Sequence, residues 1–443
     1  MNQTQLLAAK ANQITEAMQL VAVKENRTPE FIRAGVAAGK IVIPANINHK
    51  SLIPVGIGRE LYTKINANIG NSALSSCPRS EQQKLESTIK YGADTVMDLS
   101  TGGNIVLIRE NIIRHSTIPV GTVPLYEVVA RYGAENFTRE NILEVMELQA
   151  AQGVDYMTIH AGLLRKYVPM ALKRKLGIVS RGGALLATWM HEHDAENPFY
   201  AYFDDILAIC LKYDVTLSLG DGLRPGCLAD ASDQAQFAEL DTLGELVSRC
   251  RQAGVQAMVE GPGHIPMDEI ELNMKRERTI CDDAPFYILG PIVTDCAPGY
   301  DHLVGAMGGM LGAFYGAAML CYVTPKEHLG LPNNEDVKRG IMAFKIAAHA
   351  ADIGLKKPLA RKLDDAISDA RGAFDWEKQF QCAMDPERAR AYRQEALKEA
   401  ATDNPGKEHV HDHGEYCTMC GPEFCSMRLS GKLKKQAVEQ YNK

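Results

Sequence analysis

The sequence predicts a (β/α)8 barrel with a helical N-terminal lead-in, a C-terminal helical region and a cysteine-bearing tail. Three observations carry that expectation. Short β-rich runs alternate with helix-periodic segments from residue 63 to about 350, an order that requires parallel strands joined by crossover helices. Nearly every run ends in glycine mixed with reactive side chains, as expected where strand ends converge on one mouth. The chain, 443 residues at 46% apolar content, can bury a core of that size, since α/β barrels absorb roughly 250 residues or more in one domain.

The boundaries expected are residues 1–60 for the lead-in, 61–355 for the barrel, 356–402 for the helical region and 403–443 for a linker and tail. The lead-in begins MNQTQLLAAKANQITEAMQL, which is polar and amphipathic. It has neither the basic patch nor the continuous apolar stretch of a secretory signal. No run of about 18 apolar residues predicts a membrane span. A net charge of −7 argues against nucleic acid or an anionic membrane surface as a general partner. Of eleven cysteines, eight are scattered singly: Cys77, Cys210, Cys227, Cys250, Cys281, Cys296, Cys321 and Cys382. An odd total without a signal reads as reduced thiols in the cytoplasm, mostly small core residues.

The candidate strands are Lys64–Gly70, Thr95–Ser100, Ile118–Leu125, Tyr156–Gly162, Gly177–Gly182, Val215–Gly220, Val255–Glu260, Phe286–Asp295 and Ala317–Thr324. Nine runs are one more than an eight-stranded barrel needs, so one is an extra strand or a loop; an open doubly wound sheet is the alternative. Between the runs, Thr138 caps a helix carrying Ile142, Leu143, Met146 and Leu148 that Gly153 stops. Phe237, Leu240, Leu243 and Val247 form another apolar stripe ended by Gly254. The strand ends read NANIGN, MDLS, VPLY, IHAG, SRGG, LGDGLRPG, VEGPGH, TDCAPGYDH and TPKEHLG. An open sheet would spread these loops along a crevice, whereas a barrel gathers them. From about residue 355 the composition turns charged and helical, and a polar linker leads into the tail.

The tail reads CTMCGPEFC, with Cys417, Cys420 and Cys425 within nine residues. Thiolates so close repel unless a cation or cluster shares them. A 4Fe–4S cluster on three cysteines leaves one iron free to chelate S-adenosylmethionine for reductive cleavage. Zinc is the competing reading, because His409, His411 and His413 lie just upstream and Cys3His is a familiar structural set.

At the strand ends, His264 closes VEGPGH and His328 sits in TPKEHLG. A barrel mouth brings such loops together, and two imidazoles completed by water or substrate suit zinc or ferrous iron. Ser180-Arg181-Gly182-Gly183 and Asp221-Gly222-Leu223-Arg224 have the glycine and arginine of anion or polar-ligand sites. Glu260 is placed to accept hydrogen bonds from a substrate, and Tyr126, His160 and Tyr287 are further polar candidates. There is no Walker loop and no dinucleotide fingerprint.

Together INANIGNSA, GADTVMDLSTG, IVSRGG, SLGDGLRPG, EGPGH, APFYILGP, APGYDH, AMLCYVTPKEHLGLP, KIAAHAAD and CTMCGPEFC resemble the phosphomethylpyrimidine synthase family of radical enzymes, over roughly Ile43 to Ser430. The resemblance implies a barrel, a homodimer and a C-terminal cluster arm. It implies a radical S-adenosylmethionine carbon–carbon lyase acting on 5-aminoimidazole ribotide with an electron donor. Carried over by motif, the substrate contacts are Asn68, Met97, Tyr126, His160, Ser180, Arg181, Gly182, Asp221, Gly222, Leu223, Arg224, Glu260 and Tyr287. The implied ligands are His264 and His328 for a divalent metal, zinc or iron, and Cys417, Cys420 and Cys425 for the 4Fe–4S cluster.

Three positions depart from the family's thiamin pattern: Glu127 after Tyr126, Cys296 in TDCAPGYDH and Glu423 in the cysteine motif. The family has a branch, 5-hydroxybenzimidazole synthase, that takes the same substrate toward the lower ligand of anaerobic cobamides. On these departures the expected product is 5-hydroxybenzimidazole. The alternative is 4-amino-5-hydroxymethyl-2-methylpyrimidine phosphate, the thiamin precursor. A non-catalytic zinc-binding scaffold stands as a reading from another class.

Overall fold

The computed structural model describes residues 3–71, 78–403 and 416–441. Two compact units divide the chain, Met1–Pro358 and Leu359–Lys443. In the first, eight parallel strands close into a barrel. They are β1 (Lys64–Ile69), β2 (Thr95–Asp98), β3 (Val120–Thr122), β4 (Tyr156–Ile159), β5 (Thr216–Leu219), β6 (Ala257–Gly261), β7 (Phe286–Leu289) and β8 (Met319–Cys321). Each pairs with its sequence neighbour, and β8 returns to β1 with Asn66 opposite Cys321. Most strand residues are buried, because helices cover the outside and side chains fill the inside.

Eight of the nine expected runs contain a strand. The exception is Gly177–Gly182, which forms a loop running into the helix Arg181–Glu192. Its own chemistry explains this: Ser180 accepts the Gly183 N–H and caps the helix, so SRGG is a helix start. Pro124 ends the third run early, since it occupies the first turn of the helix Pro124–Tyr132. The two helices read from apolar periodicity are present as Arg139–Gln152 and Gln234–Ala253. Both end at a left-handed glycine, Gly153 and Gly254.

The lead-in consists of helices Gln5–Lys10, Glu16–Glu25 and Pro29–Ala37, capped by Thr4, Thr15 and Thr28. They share a small core of Met18, Val21, Ile32, Val36, Ile43 and Leu61. Thr4 Oγ1 donates to the Gly254 carbonyl (2.8 Å) and the Gln5 N–H to Asp214 (2.9 Å), both in turns that precede strands. A buried Lys64–Glu25 pair (3.0 Å) ties the same helices to the start of β1. The lead-in thus closes the N-terminal end of the barrel and leaves the C-terminal mouth to the functional loops.

The second unit contains the helices Lys362–Gly372, Trp376–Cys382 and Pro386–Asp403, then Gly421–Phe424 and Ser426–Tyr441. Arg390 grips Glu377 through two hydrogen bonds (2.7 and 2.6 Å), and the Arg393 guanidinium lies 3.9 Å from the Trp376 ring centre. Among the described residues, no helix is long and apolar enough to cross a membrane. Cys77, His409, His411 and His413 lie outside the described residues.

Candidate functional site

At the C-terminal end of the barrel the strands surround a cavity of about 100 Å³. Its wall includes eight of the thirteen expected contacts: Asn68, Met97, Tyr126, His160, Asp221, Arg224, Glu260 and Tyr287. Strand register explains the convergence. Asn68 pairs with Met97 across β1 and β2, and Glu260 pairs with Tyr287 across β6 and β7.

Beneath the cavity, Asn66 fixes the floor. Its amide donates to Asn68 Oδ1 and the Tyr287 hydroxyl (both 2.7 Å), and its carbonyl accepts from Thr95 and Tyr156 (both 2.9 Å). Fully engaged, Asn66 holds the floor while Asn68 faces the space. Glu260 Oε1 accepts from Thr158 Oγ1 (2.7 Å) and Ser218 Oγ (2.6 Å). Burial nevertheless pushes its pKa up to about 7, helped by the Asp221 charge. Burial likewise lifts Asp221 to about 6 against its pairing with Arg224 (3.1 Å). His160 is driven down to about 3, first by burial and then by Arg224, and so is neutral, with no hydrogen-bond partner at Nδ1. The cavity therefore presents a neutral imidazole, a guanidinium and two carboxyls that exchange protons near neutrality, a combination suited to binding a polar substrate and moving its protons.

The other five expected contacts lie beside the cavity. Ser180, Arg181 and Gly182 form the start of the helix Arg181–Glu192, with Arg181 stacked over the Tyr126 ring at 5.0 Å. Gly182 has to be glycine, because a Cβ there would meet the His160 ring at 2.4 Å. Gly222 and Leu223 serve the loop between Asp221 and Arg224; the Leu223 N–H donates to Glu239 and its side chain is buried with Leu163, Ala171, Met190 and Ala235.

Sequence reasoning missed other wall residues, among them Leu99, Val123, Thr158, Leu289 and Cys321. Cys321 reads as a core thiol from its apolar flanks, but its Sγ lies 3.2 Å from Asn68 Nδ2, and burial pushes its pKa up to about 11. The signal that finds it is the β8–β1 closure. Asn197 was also missed; it holds the His160 and Leu163 carbonyls (both 2.8 Å) and so sets the loop after β4.

His264 and His328 come together from separate loops, their ring centres 5.4 Å apart. His264 Nδ1 bonds Asp295 (2.8 Å), which leaves Nε2 for a ligand role, and His328 Nδ1 faces Asp301 at 3.4 Å. A carboxylate behind each imidazole is the arrangement that fixes a metal-binding tautomer, so the pair fits a divalent cation completed by other ligands. His328 is held at a φ of +61°, a strained setting often kept for function.

In the tail, Cys417 and Cys420 bracket a turn closed by the Gly421 N–H on the Cys417 carbonyl (2.9 Å), and Cys425 follows the short helix Gly421–Phe424. Burial opposes ionisation of Cys417, yet the backbone N–H groups of Cys420 and Met419 hold its pKa below the usual thiol value. A turn that favours a thiolate fits an iron–sulfur ligand set. Among the described residues, no three His, Cys, Asp or Glu side chains are already gathered to hold one metal ion.

Of the three departures, Glu127 and Cys296 do not line the cavity. Glu127 is sealed behind it, accepting from Arg109 and Gln149 (both 2.6 Å) and paired with Arg131. Its helix aims Tyr126 inward and the next residue toward its neighbours. Cys296 is exposed, and Glu423 is exposed on the tail helix.

Residues 4–432 match the model of the Radical SAM ThiC family. A phosphomethylpyrimidine synthase of Natronomonas pharaonis is 58% identical over 427 residues, spanning 96% of this chain and 88% of that protein. Among solved structures, the dihydropteroate synthases of Coxiella burnetii and Xanthomonas albilineans each share 12% identity and a TM-score of 0.41. The first match covers 66% of this chain and 94% of that one, the second 69% and 97%.

Proposed function

The chain belongs to the Radical SAM ThiC family, and from that premise we propose that it is a phosphomethylpyrimidine synthase. It converts 5-aminoimidazole ribotide into 4-amino-5-hydroxymethyl-2-methylpyrimidine phosphate. The observation that carries this reading is the 58% identity, along 96% of the chain, to a protein of that name. The cavity supports it. Of the departures that suggested 5-hydroxybenzimidazole, Glu127 and Cys296 do not line the cavity, which weakens the reason for preferring that product.

In this reading Arg224, His160 and Asp221 grip the polar face of the ribotide, and Glu260 takes or gives protons beside the imidazole. Tyr126, Met97 and Tyr287 pack against the ring. The backbone N–H groups after Ser180, together with Arg181, receive the phosphate, as helix N-termini do. His264 and His328 would hold a divalent metal, zinc or iron, which supplies a Lewis acid. Cys417, Cys420 and Cys425 would hold a 4Fe–4S cluster, which supplies the electron for cleaving S-adenosylmethionine. A homodimer finds support in the helix Asp301–Tyr315, whose Leu303, Met307, Met310 and Phe314 present apolar surface to solvent.

Product phosphate content tests the reading. The anaerobically reconstituted protein, given S-adenosylmethionine, a reductant and the ribotide, should release a pyrimidine that retains its phosphate by mass spectrometry. A fluorescent, phosphate-free 5-hydroxybenzimidazole as the dominant product would overturn it, and a colourless zinc protein without turnover would return the scaffold reading.

A further inference from the structure

Behind the cavity lies a smaller chamber that shares Asp221, Arg224, Glu260 and Gly261 with it and adds Gln236, Glu239 and Asn273. Glu239 comes from the helix Gln234–Ala253 and is 2% exposed. Its Oε2 accepts the Leu223 N–H at 2.7 Å, whereas Oε1 has no hydrogen-bond partner. A side chain at Gly222 would press on this carboxyl, because a Cβ there would sit 3.1 Å from Oε1. Glu239 therefore grips the backbone of the loop that presents Asp221 and Arg224 to the cavity.

The charges around it do not balance. The charged groups facing Glu239 are Asp221 and Arg224 on the loop, Glu260 on β6, and Arg174. Arg224 is paired with Asp221 (3.1 Å), and Arg174 is held through two bonds by Asp233 (2.7 and 2.6 Å). Each cation already has its own carboxylate, so Glu239 and Glu260 have no counter-charge, and a buried carboxyl in that position keeps its proton. We propose that Glu239 is a positioning residue for the Asp221–Arg224 loop, whose backbone the neutral acid clamps. Its carboxylate would accept the Leu223 N–H more strongly. Ionisation, however, puts an uncompensated charge beside Asp221 and Glu260, and hydration of that charge draws the side chain out of the chamber and frees the loop. Burial, which lifts its pKa to about 8, agrees with that geometry.

The proposal rests on the ribotide reading for one of its two tests and is independent of it for the other. Glutamine copies the protonated acid, so in Glu239→Gln the side-chain carbonyl still accepts the Leu223 N–H. Ribotide affinity of the wild-type holoenzyme should fall about tenfold more than that of Glu239→Gln as pH rises to about one unit above the glutamate's pKa. In the full-length apo protein, the melting temperature of Glu239→Gln relative to wild type should rise from pH 5 to pH 8, because only the wild type must bind a proton to fold. Weaker ribotide binding by Glu239→Gln at pH 7 would overturn the proposal, since the ionised form would then be the one required. So would identical pH profiles, or a melting difference that does not change with pH. If the wild type binds no ribotide, the functional reading fails while the melting experiment still decides the role of Glu239.

Discussion

The barrel mouth and the cysteine turn make their sites in opposite ways. The mouth draws its groups from all eight strands or the loops that follow them, and most are held by partners far away in sequence; Asn66, for example, bonds Tyr287 and Tyr156. The tail places three ligands within nine residues on one turn and a short helix. A site built by strand closure is rigid and buried before any ligand arrives. The turn supplies donors and a lowered thiol pKa, and leaves the final geometry to the group it would hold. Damage should therefore differ in kind: loss of a tail ligand removes a function outright, whereas loss of one mouth residue weakens a shared grip.

The largest effect is expected in the tail. Cys417→Ala, Cys420→Ala or Cys425→Ala should abolish both the brown cluster absorbance and all 5′-deoxyadenosine formation, while thermal unfolding of the barrel stays at its wild-type value. Residual cleavage of S-adenosylmethionine by any of the three would break the comparison. Cys250→Ala is the control: that thiol is fully buried on the helix Gln234–Ala253, so its loss should lower stability slightly and leave iron content unchanged.

A smaller, graded effect is expected at the mouth. Arg224→Ala should weaken ribotide binding by roughly tenfold or more, since a hydrogen bond to a charged group contributes about 1.5–3 kcal/mol, and should leave the cluster in place. Unchanged affinity, measured by calorimetric titration, would mean that the cavity is not the ribotide site.

Smaller still are the pH effects, which separate two mouth residues by sign. Glu260 has a raised pKa of about 7, so its contribution to stability is full below the unfolded value and is lost as pH rises toward and through 7. His160 has a depressed pKa of about 3, so stability is lost as pH falls below the ordinary imidazole value. Glu260→Gln should flatten the decline in melting temperature between pH 5 and 8, and His160→Asn the decline between pH 6 and 3. Identical slopes in wild type and variants would refute the burial argument for both.

What could be read from the sequence follows the same division. Barrel closure, the cysteine turn and the paired histidines were legible because each has a local signature: strand-end glycines, a CxxCx4C spacing, imidazoles closing two loops. The fate of the surplus run was not, because Gly177–Gly182 has the composition of a strand end while Ser180 and Gly183 make it a helix cap. Cys321, Asn197 and Glu239 were illegible for a different reason. Each acts through a neighbour brought close only by register or crossover, and nothing in its flanking residues announces that neighbour. Glu127 marks the reverse case: it adjoins Tyr126, which lines the cavity, and the helix turns it away toward Arg109 and Gln149.

The smallest effect is expected where the sequence departs from its family without touching the cavity. Cys296→Ile restores the expected residue at an exposed position whose thiol lies 3.3 Å from Thr294 Oγ1. A route to the site runs through the adjoining Asp295, which bonds His264. That bond is made by the Asp295 side chain, and replacing one exposed side chain beside it leaves the carboxylate within reach. Exposed substitutions of this kind usually change stability by less than about 0.5 kcal/mol, and no cavity contact is lost. Turnover should stay within about twofold of wild type on that energy scale, with the same product by mass spectrometry. A change in the identity of the product would show that Cys296 governs the pocket through Asp295 and His264, and the loops around the mouth would then have to be counted with the strands as part of the built site.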